Sequence, residues 1–277
     1  DDFSENYELK GKGTFDSPFK IENAQDLQFL QDSVKNGNNY ANMYFEQTND
    51  IDLRTVSNWI PIGETNSGFY FDGVYNGAGH IIKNLKCNLK NEDVGLFGEL
   101  GGIVCNLGVV DSNIVGAYSG VIASHASNSE AMVINCYTKS QITGIRAGGI
   151  VDDFSGKVIN CVSYSECNGL EAAGGVSYQR GYLENIFASD DLIHTGIVGS
   201  YGDNTVKICT NKYLNSSLLG NSLNELVERI KLCTQNYEMN GEIYDSKSNK
   251  YYESWMSKLE LLNWNNENGY FVVDNYK

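Results

Sequence analysis

An asparagine that recurs inside a short apolar run constrains this chain more than any other feature. Five segments carry it: His80 to Cys87 around Asn84, Ile103 to Val109 around Asn106, Val133 to Thr138 around Asn135, Val158 to Ser163 around Asn160, and Leu183 to Ala188 around Asn185. The intervals run through the twenties, and the last two are equal. Self-similarity at such a period is the signature of a solenoid in which each repeat is one turn.

The flanking columns support stacked strands. Two places before the anchor stand Ile82, Val104, Val133, Val158 and Leu183. One place after it stand Leu85, Leu107, Cys136, Cys161 and Ile186, and three places after it Cys87, Val109, Thr138, Ser163 and Ala188. These columns are apolar or small and are read as inward. The columns one place before (Lys83, Cys105, Ile134, Ile159, Glu184) and two places after (Lys86, Gly108, Tyr137, Val162, Phe187) are mixed and are read as outward. Alternation of this kind is that of a strand, and its phase slips at the asparagine, which marks a bend. Asparagine tolerates left-handed backbone angles and bonds to nearby main chain. Stacked turn on turn, its amide can bond to the amides above and below, which satisfies a buried polar group.

A second marker precedes the later anchors: Gly95 to Gly98, Gly120 to Ala123, Gly148 to Val151 and Gly174 to Ser177. These are glycine bends leading into short apolar strands. A leucine-rich repeat would need a leucine-dense consensus that is absent. The expected fold is an all-β solenoid, a right-handed parallel β-helix with an N-terminal capping helix and a mixed α/β C-terminal cap. The expected divisions are 1–43 for an N-terminal strand and capping helix, 44–220 for the β-helix, and 221–277 for the C-terminal cap.

Residues 94–98 (Val-Gly-Leu-Phe-Gly), with the later Gly-Gly-Ile-Val and Ile-Asn-Cys elements, resemble the GLUG-type repeats of bacterial surface proteins. Upstream, residues 13–21, 50–53, 59–63 and 71–81 resemble the segments that precede those repeats. The resemblance covers about residues 11–200. It implies a β-helix module of the kind found in adhesins, in large cell-wall proteins and beside the metallopeptidase domain of immunoglobulin A-cleaving proteases. It further implies an extracellular or cell-surface location within a larger parent polypeptide.

Asn23 to Gly37 reads as a helix, capped by Asn23, with Leu27, Leu30 and Val34 on one face and Gly37 as its stop. Such a helix closes the open end of a solenoid and blocks strand addition. Ser222 to Gln235 and Tyr251 to Leu262 read as two further helices, and Gly269 to Asp274 as a closing strand. The outward cluster Ile134, Tyr137, Ile159, Val162 and Phe187 is too apolar to leave in water, so the tail is expected to cover it.

The formal net charge of −15 argues against a nucleic-acid or anionic-membrane surface. No apolar run is long enough to span a bilayer. The chain begins Asp1-Asp-Phe-Ser, without an initiator Met, and is expected to be a mature or excised fragment. Seven cysteines is an odd number, so at least one is unpaired or bonded to another chain. Cys136 and Cys161 share a column, where either a disulfide or a stack of buried thiols is possible.

No residue pattern for catalysis stands out. Asp152 with Asp153, and Asp191 with Glu166, are the candidate acid pairs for a glycoside hydrolase. No acid stacks on Asp152 and Asp153, whose expected neighbours are Ser177, Tyr178, Ala123 and Ser124. Arg146 and Arg180 stand alone in the repeats, so a lyase base has no support. Arg229-Ile-Lys231 imitates a hydrolase motif but falls in a helix, and no His-Glu-x-x-His is present. Ser124-His125 is only a sequence neighbour pair. Asp50 and Asp52 either ligate calcium or bond to main chain at a bend, and His80 is read as structural.

Binding is the remaining reading. Among 18 tyrosines, those of the repeats present faces suited to sugars or protein surfaces, and Tyr118, Tyr137, Tyr164 and Tyr178 are the candidate ligand-binding residues. No metal site or cofactor is expected. The expected function is a non-catalytic module of a cell-surface or secreted protein, used for adhesion to a host or cell-surface protein or glycan, or as a spacer. The alternative is a carbohydrate-active β-helix enzyme or sugar-binding module.

Overall fold

The computed structural model describes residues 7–179, 182–189, 198–201, 211–214, 264–267 and 270–273. They form a parallel β-solenoid of about six turns with one short helix. Strand β1 (Phe19–Ile21) pairs in parallel with β2 (Tyr44–Gln47), which is followed by β3 (Ile51–Asp52). The next turn holds β4 (Val74–Asn76), β5 (Ile81–Lys83), β6 (Lys86–Val94) and β7 (Phe97–Glu99). Above it lie β8 (Ile103–Cys105), β9 (Gly108–Gly120) and β10 (Ala123–Ala126), then β11 (Met132–Ile134) and β12 (Tyr137–Phe154). They are followed by β13 (Lys157–Ser163) and β14 (Glu166–Gln179), β15 (Tyr182–Ser189) and β16 (Val198–Tyr201), and finally β17 (Asn211–Leu214). Strands β18 (Trp264–Glu267) and β19 (Tyr270–Val273) make a separate antiparallel hairpin.

The corners follow from the asparagines. Asn106, Asn135 and Asn160 have φ of 52°, 57° and 49°, the left-handed region in which asparagine is among the least strained side chains. The register of β8, β11 and β13 places them directly above one another. Asn135 Nδ2 donates to Asn106 Oδ1 at 2.8 Å, and Asn106 Nδ2 donates to Asn76 Oδ1 at 3.0 Å. All three stacked asparagines are fully buried, so each amide depends on its neighbours for partners.

Asn84 does not belong to this column. Its backbone is also left-handed, at φ 59°, but the pairing of β5 with β9 sets it level with Asp111, at φ 49°. Its amide donates to Asp52 Oδ1 at 2.8 Å, so it serves a different corner. Gly77 stands level with Asn106, and Asn76, one place before it and level with Cys105, supplies the amide oxygen that Asn106 uses. The early turns are longer than the sequence interval suggested. A turn takes 30 residues from Tyr44 to Val74, and 29 from Val74 to Ile103 and again to Met132. It then takes 25 from Met132 to Lys157 and from Lys157 to Tyr182.

All three inward columns are buried wherever they are described, from Ile82 to Val158, Leu85 to Ile186 and Cys87 to Ser163. In the wide early turns the interior is filled by a stack of rings. Phe19, Phe45, Phe71 and Phe97 follow one another at centroid distances of 5.2, 5.5 and 5.4 Å, the spacing aromatic pairs prefer. Above Phe97 the register brings Ala123, then Val151 and Val176.

The glycine marker is also a column. Gly120, Gly148 and Gly174 are in register across β9, β12 and β14. A Cβ at Gly148 would stand 1.8 Å from the Val151 carbonyl oxygen, and one at Gly120 2.1 Å from that of Ala123. The chain bends too tightly there for any side chain.

Helix α1 (Ala24–Lys35) is capped by Asn23, whose side chain accepts from the N–H groups of Gln25 and Asp26. Leu27, Leu30 and Val34 are buried and belong to the same contiguous core as the strands, so the helix closes the solenoid at its N-terminal end. The expected helices at 222–235 and 251–262, and most of the expected C-terminal cap, lie outside the described residues. The outward columns differ from a solvated face. Cys105, Ile134, Ile159 and Val162 are fully buried and Tyr137 is 6% exposed, yet none joins the inner core. Strand β19, from the expected tail, contacts β12.

Cys87, Cys105, Cys136, Cys161 and Cys167 are buried free thiols. Burial pushes Cys87 and Cys167 up to about 12, and Cys105 and Cys136 are raised as well by loss of solvation. A thiol attacks as its thiolate. All five are buried and should resist iodoacetamide at pH 8 in the native protein and react in guanidinium, as read by peptide mass spectrometry. Rapid native labelling of Cys136 or Cys161 would contradict the packing.

Asn135→Ala should destabilise the fold by about 3 kcal/mol, because it strains a left-handed residue and strands the Asn106 oxygen. Asn135→Gly relieves only the strain and should cost about 1 kcal/mol less. Urea unfolding of the two variants separates the ladder bond from the backbone term.

Candidate functional site

The long strands β9, β12 and β14 cross the glycine column and change direction. Residues before and after the bend therefore face one space. Before it, Tyr118 pairs in register with Arg146, and after it Asp153 pairs with Tyr178. The Arg146 guanidinium carbon lies 4.3 Å from the Tyr118 ring centroid and 4.9 Å from that of Tyr178. A cation held between two aromatic faces gains about 2 kcal/mol when it is shielded from water. Arg146 Nη2 reaches Asp152 Oδ2 at 3.3 Å and Asp153 Oδ2 at 3.5 Å. The Ser177 hydroxyl, one turn on, donates to Asp152 Oδ1.

Asp152 is fully buried. Burial pushes its carboxyl up to about 7, while Arg146 and the Ser177 hydroxyl pull it down and the charges of Asp153 and Asp93 push it up. The cost of removing the carboxylate from water outweighs the attraction of one guanidinium. Perturbed carboxyls cluster at functional sites. This one, however, lies under Arg146, and its oxygens face Arg146 and Ser177.

The four candidate tyrosines do not converge. Tyr118 and Tyr178, two turns apart, meet across Arg146. Tyr137 is buried, and its ring lies over Gly108, where an added Cβ would come within 2.4 Å of it. It offers no face to a ligand. Tyr164 is half-buried and lines a separate shallow groove with Asp111, Lys139 and Glu166. Glu166 accepts from Gln141 Nε2 at 3.3 Å, and its expected companion Asp191 lies outside the described residues.

Asp52 bonds to the N–H and guanidinium of Arg54 and to the Asn84 amide, which hold its carboxyl well below the usual range. Asp50 accepts from the Ile81 N–H at 3.2 Å and lies 3.1 Å from His80 Nδ1. That histidine contact, across one turn, was not legible from spacing. Arg146 reads as isolated in the linear sequence, yet aligning Tyr118 and Arg146 on the glycines two places after each would have stacked them. Among the described residues no three His, Cys, Asp or Glu side chains are grouped to hold a metal. No described helix is long and apolar enough to cross a membrane.

The fold places the chain among the parallel β-solenoids, with a bracketed, acid-paired arginine at one bend. No protein-family model matches it. It is similar to Halomucin of Haloquadratum walsbyi, 31% identical over 154 residues, which is 51% of this chain and 2% of the relative's length. Among solved structures it is similar to a candidate immunoglobulin A1 protease from Bacteroides ovatus. That likeness has a TM-score of 0.55 and 22% identity, and covers 74% of this chain and 69% of the other. At that identity it is a likeness of fold.

Asp152 carries a testable pH dependence. Its folded value, about 7, lies above its ordinary 3.8. Folding therefore retains a proton that the unfolded chain releases. The stability this contributes is complete below about pH 4 and is lost as pH rises through 7. Urea unfolding of the native protein and Asp152→Asn at pH 4 and pH 8 should show a difference that shifts in favour of the variant at pH 8. The expected shift is on the order of 4 kcal/mol. A pH-independent difference would mean that the carboxyl ionises normally.

Proposed function

We propose that this chain is a non-catalytic module of a large secreted or cell-surface protein, serving adhesion or binding, or the spacing of other parts. The observation that carries the reading is the setting of the buried acid at the bend. Asp152 is buried, paired with Arg146 and bonded by Ser177, which suits a group that holds a bend rather than one that meets a substrate. The similarity to a 2% stretch of a much longer protein supports a modular role. The fold shared with a candidate immunoglobulin A1 protease, together with the GLUG-type resemblance, supports a place outside the cell. A solenoid suits both tasks, since each added turn lengthens the molecule and extends a lateral face.

The test is a screen of the purified chain against arrays of glycans and of cell-surface protein fragments, with reducing-end release measured on every glycan hit. Saturable binding without product is expected. Sugar release that survives repurification and is lost in Asp152→Asn would replace this reading with a carbohydrate-active enzyme.

A further inference from the structure

A cleft of about 560 Å³ opens beside the N-terminal turns and reaches up to Asp93, which pairs in register with Tyr118 below the Arg146 bend. Its volume is that of an ordinary ligand site. One wall is the C-terminal half of α1 with Lys35, the second is the segment from Ile60 to Phe69, and the third is the end of β6 with Glu92 and Asp93. The walls are fixed in advance. The Gln31 side-chain amide donates to the Ile60 carbonyl, tying that segment to the helix. The Glu64 N–H bonds to the Phe69 carbonyl at 2.7 Å, and the Asn66 N–H bonds at 3.0 Å to Glu99, a carboxylate only 8% exposed.

Three features of the lining point to one kind of ligand. Ile60 and Phe69 are 44% and 40% exposed, two of the few large apolar side chains left in water. Glu64, Glu92 and Asp93 face the cleft with Lys35 as the sole opposing charge of its lining, and none of the three acids is in an ion pair among the described residues. The Thr65 hydroxyl oxygen, also in the lining, is shielded from solvent and has no hydrogen-bond partner among the described residues. An anionic ligand would be repelled. An apolar one would strip water from the carboxylates without replacing it. A lysine or arginine side chain answers both demands, because its alkyl stem covers apolar surface and its head pairs with carboxylates or lies on an aromatic face.

We propose that this cleft receives a lysine or arginine side chain presented by a protein partner. The proposal rests on the reading of the chain as a binding module and names the partner's chemistry. It is tested by titrating the ¹⁵N-labelled chain with the N-acetyl, N-methylamide derivatives of arginine and lysine at millimolar concentration. The norleucine derivative serves as the uncharged control, and methyl glycosides of glucose, galactose and N-acetylglucosamine as sugar probes.

The basic probes should move the amide signals of Asn66, Phe69 and residues 91–93, and norleucine should not. Affinity should fall about 10-fold in the double variant E92Q/D93N and fall with added salt. It should also weaken in Phe69→Ala. These side chains are at least partly exposed, and an unchanged melting curve shows that the variants fold.

Equal shifts with norleucine, an unaffected double variant, or no shift with either basic probe would overturn the proposal. Shifts of the same amides by a glycoside alone would reassign the cleft to sugar. Array binding that persists in the variants would remove this site and leave the module reading standing, whereas an array without any hit would remove the binding reading with this site and leave the spacer role.

Discussion

The asparagine corner of the described turns must satisfy a buried polar residue from the turn above or below. Strands one turn apart sit about 4.8 Å from each other, so like residues in successive turns meet. At one corner the residue is asparagine, whose amide both donates and accepts. The contacts from Asn76 to Asn106 to Asn135 continue the main-chain ladder through a bend that would otherwise interrupt it. A net hydrogen bond is worth only about 1 kcal/mol, but leaving one of these groups unpaired costs more. The column thus specifies register more than it adds stability, since a turn that slipped by one residue would strand its amide.

The interior obeys a second constraint set by turn length. Phe19 and Phe45 are one turn of 26 residues apart in register, and above Phe97 the same line continues through Ala123, Val151 and Val176. Cys136 and Cys161 fill the equivalent inward column of the narrower turns as small hydrophobes, with burial disfavouring the Cys136 thiolate. Helix α1 completes the wide end, where an open edge would template another strand.

The bend at the glycine column gathers side chains that strand alternation alone would separate. Arg146 and Asp153 are seven residues apart, yet they come within 3.5 Å because the chain turns between them. The tyrosines above and below shield the cation and leave Asp152 poorly solvated. The resulting cluster is strongly coupled and inward-looking. The cleft near α1 has the opposite character, with its acids and apolar side chains turned toward solvent.

The sequence by itself determined the stacked-strand architecture, the inward columns, the asparagine and glycine bends and the capping helix. Each of these depends on local pattern, which alternation, left-handed tolerance and capping residues write directly into the chain. It could not place Asn84, because a 22-residue interval from Asn84 to Asn106 imitates a turn while joining two different corners. It could not show that the outward columns at Ile134, Ile159 and Val162 are buried, since that depends on what lies over them. The contacts of Asp50 with His80 and of Arg146 with Tyr118 and Tyr178 were likewise decided only by tertiary structure. They join residues about one turn apart, and their partners follow from the exact register of unequal turns.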